Sequence, residues 1–271
     1  MIQPRSASRL LLAVLASLAG LSGCGPATIQ PSAKPDRVAA PTTIALAEPT
    51  QDAAVPPASG VTLRGLVRFD GTPPQRRVIK MNRDAECVKL HGDKTVLDES
   101  LIVGAEGGVQ NAFVYIRRGA PKADYPLPAQ AVQLVQENCM YRPRVQGMMA
   151  GQTLRVLNED PLTHNVRSIP VRNKAFNFGQ PADSEPRERV FSSPEREIEI
   201  QCDIHPWMHA YLFVMDHPFY AVSSDDGAFA IENLPPGKYV LGVWHEVLGK
   251  QDREVSITAD MPPDIEFRFQ R

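Results

Sequence analysis

The chain has 271 residues, with 29 Lys and Arg against 31 Asp and Glu, and a formal net charge of −2 at pH 7. It contains no basic run and no stripe of basic and aromatic residues, so a nucleic acid is not an expected partner. Beyond an N-terminal stretch without folding potential, about 210 residues remain, which allows one large domain or two small ones.

The N-terminus has the features of an export signal. Arg5 and Arg9 precede an apolar run over 10–21, which is too short to span a bilayer as a lasting helix. The run leads into the letters LSGC, which end at Cys24 and resemble a bacterial lipobox, in which the Cys becomes the lipidated first residue. Residues 1–24 are therefore predicted to be a lipoprotein signal peptide, and an ordinary secretory signal is the alternative.

Residues 25–59 are rich in Pro, Ala and Thr and poor in large apolar side chains. Such a segment buries too little surface to offset its ordering entropy, so we predict a disordered tether. Acyl chains on Cys24 would hold the protein at a membrane without a spanning helix. Gly25 stands where an Asp would signal inner-membrane retention, which favours the outer membrane by resemblance to other lipoproteins. We expect an exported lipoprotein, periplasmic or at the cell surface.

The remaining sequence alternates with the period of β-strands, and no segment shows a long helical period. Turn signals such as Asp70-Gly71 and Asp226-Gly227 separate the alternating segments. These segments are 61–69, 111–118, 152–158, 197–202, 210–214, 239–243, 255–257 and 265–269. Many short strands separated by turns indicate an all-β protein built from β-sandwiches.

Both ends of this strand-rich region carry parts of one pattern. Residues 65–74 spell GLVRFDGTPP, residues 111–116 spell NAFVYI, and residues 224–239 spell SDDGAFAIENLPPGKY. Together they resemble the carboxypeptidase regulatory-like family, whose fold is a transthyretin-like or Ig-like β-sandwich.

This resemblance implies a discontinuous sandwich made of 60–120 and 217–271, with a second domain inserted at 121–216. Insertion at a surface loop is physically easy, because domain termini often lie close together. The alternative is a continuous arrangement.

The motif Cys202-Asp-Ile-His205-Pro-Trp-Met208 lies between two predicted strands. A tight loop between strands can turn a Cys, a His and a Met toward one point, and His164 follows a neighbouring strand. Sulfur ligands favour Cu(I) and imidazole also suits Cu(II), so a Cys with two His and a weak Met accepts both oxidation states in nearly one geometry. We predict that these four residues hold one copper ion.

The spacing Cys-x2-His-x2-Met, with Pro206 after the loop His, resembles the cupredoxins and most closely their amicyanin-type members. Upstream, Asn158 and the pair His164-Asn165 match the same family. The resemblance implies a cupredoxin Greek-key β-sandwich over 121–216 with a type 1 (blue) copper site.

By the same resemblance, His205 would be the ligand nearest solvent and Met208 the axial ligand. Asn165 would brace the Cys loop from outside the coordination sphere. Pro206 and Trp207 would belong to an apolar rim where a redox partner docks, although Trp207 is equally compatible with a place in the core.

The other chemically notable side chains have plainer interpretations. Cys87 and Cys139 can pair in an exported protein, and a disulfide is expected by this count. The alternative is a second metal site that uses both cysteines and His91. Glu159 and Asp160 precede His164, but adjacent acids in a loop are usually solvated.

The remaining histidines are expected to lie outside the site. His209 is predicted to face away from it by strand alternation, and His217 and His245 to be structural. No Ser-His-Asp order, phosphate loop or paired-carboxylate motif stands out, so an enzyme is not expected.

The expected function is that of a one-electron carrier at the cell envelope, cycling Cu(II) and Cu(I). By family likeness, its partner would be a c-type cytochrome or a membrane-bound redox enzyme. The alternatives are a copper-binding chaperone or sensor, and a structural envelope module whose site stays empty.

Overall fold

The computed structural model describes residues 60–260 and 264–270. The predicted signal peptide with Cys24 and the tether at 25–59 lie outside the described residues. The described part consists of sixteen strands and one short helix, and none of its helices has the length and apolar character needed to cross a membrane. The prediction of an all-β sandwich fold is confirmed.

The elements, in chain order, are β1 (Val61–Phe69), α1 (Ala85–His91), β2 (Phe113–Arg118), β3 (Val132–Glu137), β4 (Met140–Arg142), β5 (Val145–Met149), β6 (Thr153–Asn158), β7 (His164–Ile169), β8 (Asn177–Gln180), β9 (Arg187–Val190), β10 (Glu195–Gln201), β11 (His209–Met215), β12 (Tyr220–Val222), β13 (Ala228–Leu234), β14 (Gly237–His245), β15 (Gly249–Ile257) and β16 (Ile265–Phe269).

Two sheets, ordered β13-β1-β16 and β12-β2-β14-β15, share one hydrophobic core. Leu63, Val67 and Phe69 of β1 point into it at alternate positions. Gly65 lies where β1 passes between its two neighbours, and a Cβ there would stand 2.3 Å from the carbonyl oxygen of Ile265. Only glycine permits this close approach of the backbones.

The other two sheets, ordered β5-β11-β10-β7-β8 and β4-β3-β6-β9, enclose a second core. All of their strands lie between 132 and 215, whereas the first pair of sheets takes its strands from 61–118 and 220–269. This is the strand distribution expected of an inserted domain, and the division of the chain into two domains stays a prediction.

One segment packs differently from the expectation. Residues 76–99 were assigned to the first sandwich, but Met81 and Cys87 are buried in the core of the second. The reason is a disulfide between Cys87 and Cys139, which ties α1 to the turn between β3 and β4. Helix α1 therefore lies over the end of the second sandwich.

Aromatic side chains join the two pairs of sheets. Phe113 of β2 stacks on Phe213 of β11 with ring centroids 3.8 Å apart, and Trp244 of β14 meets Phe213 edge-on. Beside this cluster, Arg144 forms a buried ion pair with Glu246. The buried aromatic rings and the desolvated ion pair both favour one fixed orientation of the first pair of sheets relative to the second.

Candidate metal centre

Strand β10 brings the predicted ligands to one end of the second sandwich. It pairs with β7, which begins at His164, and with β11, which begins directly after Met208. Cys202 follows the last residue of β10 and is 3% exposed, since it continues the buried face of Ile198 and Ile200. Three neighbouring strand ends therefore carry all four predicted ligands.

The loop from Cys202 to Met208 is closed by its own backbone. The amide of Cys202 donates to the carbonyl of Met208 (3.3 Å), and the amide of Met208 donates to the carbonyl of His205 (2.9 Å). The Cys202 sulfur accepts hydrogen bonds from the amides of His205 (3.3 Å) and Asn165 (3.4 Å). These contacts fix the direction of the sulfur before any metal binds.

Three of the four predicted ligands converge directly. His164, Cys202 and His205 each offer a donor atom, and these atoms all lie within 4.8 Å of one another. The two Nδ1 atoms of His164 and His205 are 2.9 Å apart, and the Cys202 sulfur is 3.7 Å from Nδ1 of His205. Met208 is fully buried in the hydrophobic core that also contains Cys202.

Each imidazole is held from behind by a carboxylate. Nε2 of His164 lies 2.7 Å from Asp160, and Nε2 of His205 lies 3.0 Å from Asp84. The hydrogen bond with His205 is the main cause that lowers the pKa of Asp84. Burial opposes ionisation of Asp160, but hydrogen bonds from His164 and from two backbone amides outweigh it and lower the pKa of this carboxyl.

Ionised carboxylates only accept hydrogen bonds, so Nε2 of both rings must donate. In neutral rings of this tautomer each Nδ1 carries a lone pair, and the two Nδ1 atoms are 2.9 Å apart. Burial opposes protonation of both rings, but hydrogen bonds with Cys202 and with the carboxylates outweigh it and raise the pKa of His164 and His205, so a proton or a metal cation can be shared between the Nδ1 atoms. Burial raises the pKa of Cys202, but hydrogen bonds with His164, His205 and two backbone amides outweigh burial and lower it to about 6. A thiolate is therefore available to the same cation.

The donor set consists of one thiolate, two imidazole nitrogens and a neighbouring thioether. This mixture of donors suits both oxidation states of copper. It suits zinc less well, because Met is not among the usual ligands of zinc. The residues present therefore fit copper. The four side chains are between 0 and 3% exposed, so bulk solvent has little access to them.

His205, which the family resemblance placed nearest to solvent, is buried. Its side chain is 1% exposed, because the start of α1 covers it. Asp84 reaches its Nε2, and the Cys87 sulfur lies 3.7 Å from the same atom. Trp207 packs on the ring from another side, with centroids 5.2 Å apart.

The expectation that Asp160 is solvated was also wrong. Asp160 is 4% exposed, whereas Glu159 beside it is exposed. Asp84 was missed altogether. Its helix-capping role has a local signal, since an Asp before a helix commonly caps it. Its contact with His205, 121 positions away, has none.

Asn165 lies where the sequence placed it, next to the Cys loop. Its Oδ1 accepts from the amide of Asp203 (3.2 Å), and its Nδ2 donates to Asn177 (2.7 Å) and to the carbonyl of Phe178 (3.2 Å). It therefore ties the Cys loop to β8. Of the two predicted docking residues, Pro206 is exposed and Trp207 is half-buried.

The remaining predicted residues lie around the site. Cys87 and Cys139 are joined as a disulfide, and His91 instead contacts the carbonyl of Asn138. The alternative second metal site with His91 is thus not formed.

His209 faces away from the site, with its ring between Glu199 and the carbonyl of Pro206. Two further histidines are buried and contact backbone groups; they are His217 and His245.

Neither a protein-family model nor a curated protein sequence matches this chain. Solved cupredoxin structures do match part of it. Amicyanin from Paracoccus versutus is 23% identical, with 38% of this chain aligned to 97% of that one at a TM-score of 0.29. A purple cupredoxin from Nitrosopumilus maritimus is 24% identical, over 31% of this chain and 99% of that one, at a TM-score of 0.26.

The copper-containing nitrite reductase NirK from Thermus scotoductus SA-01 is 23% identical, with a TM-score of 0.30. That match covers 38% of this chain and only a quarter (25%) of the reductase chain. At these TM-scores the likeness carries no statement about function, so the assignment of the site rests on its own geometry.

Proposed function

We propose that this protein is a type 1 copper protein that carries single electrons at the cell envelope and is not an enzyme. The observation that carries the proposal is the buried convergence of His164, Cys202 and His205, with two Nδ1 atoms 2.9 Å apart. A bound copper ion would supply the one-electron couple there.

The residues around the site support electron transfer rather than turnover of a substrate. Hydrogen bonds to the Cys202 sulfur and to both imidazoles hold the donors in place, so little rearrangement accompanies a change of oxidation state. Among the described residues, His205 is covered and 1% exposed, so a substrate would not reach this side chain directly. The same cover disfavours a chaperone, which must hand its metal to an acceptor that reaches a ligand.

The route for electrons is expected to pass through Trp207 rather than directly through His205. The indole packs on the His205 ring and is half-buried, so it extends from the site to the surface. Pro206, the preceding residue, is exposed. A redox protein such as a c-type cytochrome or a membrane-bound redox enzyme is the proposed partner at this rim.

Lipidation at Cys24 would keep the carrier at a membrane. The outer membrane is favoured because Gly25, and not an Asp, follows Cys24. The periplasm or cell surface is therefore the proposed location. An oxidising compartment also agrees with the disulfide between Cys87 and Cys139.

The test uses the soluble chain from residue 26 to 271, with Cu(II) added and visible absorption and electron spin resonance recorded. We expect an intense blue thiolate-to-copper band from one bound ion, and its loss in Cys202→Ser. The matched control is His209→Asn, which changes a neighbouring histidine that faces away from the site and should keep the band. A Cys202→Ser protein with the unchanged spectrum would disprove the ligand assignment.

Voltammetry separates the carrier from the chaperone. A carrier cycles reversibly and keeps its copper when a Cu(I) chelator is present. Rapid loss of Cu(I) to the chelator would contradict the proposed function even if the blue band were present.

A further inference from the structure

The two carboxylates behind the histidine ligands are anchored in matching ways. Asp84 caps α1, and its Oδ1 accepts from the amide of Cys87 (3.2 Å) while its Oδ2 contacts His205. Asp160 accepts from the amide of Cys139 (2.7 Å) with the same oxygen that contacts His164. Cys87 and Cys139 are the two halves of one disulfide.

We propose that Asp84 and Asp160 are positioning residues for the two histidine ligands, and that the Cys87–Cys139 disulfide locks both carboxylates into one unit, the carboxylate brace. The inference rests on the proposed copper site for its functional meaning. The carboxylate brace would set the orientation of the two histidine ligands and their strength as donors.

The brace explains how a distant segment is held over the site. Helix α1 has only seven residues, and a helix of this length is not stable by itself in water. The disulfide attaches α1 to the turn after β3. In this turn the amide of Asn138 also donates a hydrogen bond to Asp160 (2.6 Å). Met81, just upstream, packs into the same core.

A carboxylate that accepts from Nε2 fixes the tautomer of an imidazole and makes its other nitrogen a stronger donor. The negative charge also favours Cu(II) over Cu(I). Removing the charge of Asp84 should weaken Cu(II) binding about tenfold, within the range found for such outer partners. If Cu(I) binding is unchanged, a tenfold loss corresponds to a rise in potential of about 59 mV.

The first test needs no metal. Nuclear magnetic resonance of the copper-free protein should show two protected ring N–H protons, one from Nε2 of each histidine ligand. Asp84→Ala should lose the proton of His205 and keep that of His164. Asp84→Asn should give the same result with the helix cap kept, because its single amide oxygen can accept from the amides of α1 while its NH2 group then faces Nε2 of His205. Persistence of both protons in Asp84→Ala would overturn the positioning role of Asp84.

The second test measures Cu(II) affinity and potential in Asp84→Asn, with Asp203→Asn as the control. Asp203 lies in the Cys loop and pairs with Arg167 and Asn177, but it contacts neither histidine ligand. We expect a clear effect in Asp84→Asn and a much smaller one in Asp203→Asn. Equal effects would mean that only the net charge near the site matters, and the brace would be rejected.

The third test breaks the disulfide with the double variant Cys87→Ser/Cys139→Ser, and in parallel by phosphine reduction of the unmodified protein. Both ring N–H protons should lose protection together, and copper should leave at least about ten times faster. Retention of both protons after phosphine reduction would show that the disulfide does not hold the carboxylates. A protein that passes the proton tests but never forms a blue band would contradict the proposed function and leave the brace intact.

Discussion

The buried hydroxyl of Tyr141 donates a hydrogen bond to the carbonyl of Asn165, the residue that follows the candidate ligand His164. The same oxygen lies 3.2 Å from the carbonyl of Gln201, the residue before Cys202. Burial, followed by the nearby charges of Cys202 and Asp203, raises the pKa of Tyr141 above its ordinary value, so the hydroxyl remains a donor. One side chain from β4 thus spans the two strands that present the first His and the Cys.

Replacement of Tyr141 by Phe should loosen this connection and leave two partly buried carbonyls without their shared donor. The free energy of unfolding of the copper-free protein should fall by about 1–3 kcal/mol, the usual cost of an unsatisfied buried group. Urea denaturation measures this loss. Tyr125→Phe is the control, because its hydroxyl contacts only the carbonyl of Pro121, far from the ligands in sequence. Copper should also leave Tyr141→Phe faster, and unchanged stability would contradict the bridging role.

Met208→Leu should keep the blue colour and raise the reduction potential. Leu fills the buried space of Met208 with little change in volume, so the fold should tolerate it. The sulfur donor is lost, whereas the thiolate responsible for the band stays. Voltammetry and visible absorption on the same sample measure both effects. Loss of colour, or an unchanged potential, would contradict a role of Met208 as a weak ligand of bound copper.

The convergence of His164, Cys202 and His205 was predictable because each part of the pattern is local. Cys202, His205 and Met208 lie in one tight loop, and His164 follows a strand whose alternation is plain in the sequence. Their residue types also restrict the metal, since few metals favour sulfur and imidazole together. The alternation of apolar residues likewise predicted strands such as β1, β6, β10 and β11, which the structure contains.

The cover over His205 was not predictable in this way. It depends on a helix of seven residues and on hydrogen bonds that join positions more than a hundred residues apart. Short helices give no periodic signal, and the family resemblance placed His205 nearest to solvent instead. Asp160 was misassigned for a related reason: its burial follows from the amides of Asn138 and Cys139, which come from another strand connection.

The ion pair between Arg144 and Glu246 should stabilise the contact between the two pairs of sheets. Both side chains are 7% exposed, and Nη2 of Arg144 lies 2.7 Å from Glu246. Glu246→Gln leaves the guanidinium without a charged partner and should lower the free energy of unfolding by about 3–5 kcal/mol. The double variant Arg144→Met/Glu246→Leu should recover most of the loss, since it buries no charge. Urea denaturation tests both, and a double variant less stable than Glu246→Gln would contradict the argument.

His245 should make the protein less stable in mild acid. Burial lowers its pKa from 6.5 to about 4, and its Nδ1 accepts from the amide of Val247. Between these two values the unfolded chain binds a proton at this side chain that the folded protein does not. Its contribution to stability is therefore complete above pH 6.5 and is lost as the pH falls toward 4, by about 3 kcal/mol in total.

His245→Asn removes the titrating group and keeps an acceptor near the amide of Val247. The free energy of unfolding, measured in urea at several pH values between 7 and 4, should therefore decline less steeply in this variant than in the unmodified protein. Both proteins share every other titrating group, so the difference in slope isolates His245. Parallel pH profiles would show that His245 is protonated in the folded protein as readily as in the unfolded chain, against the burial that the structure gives it.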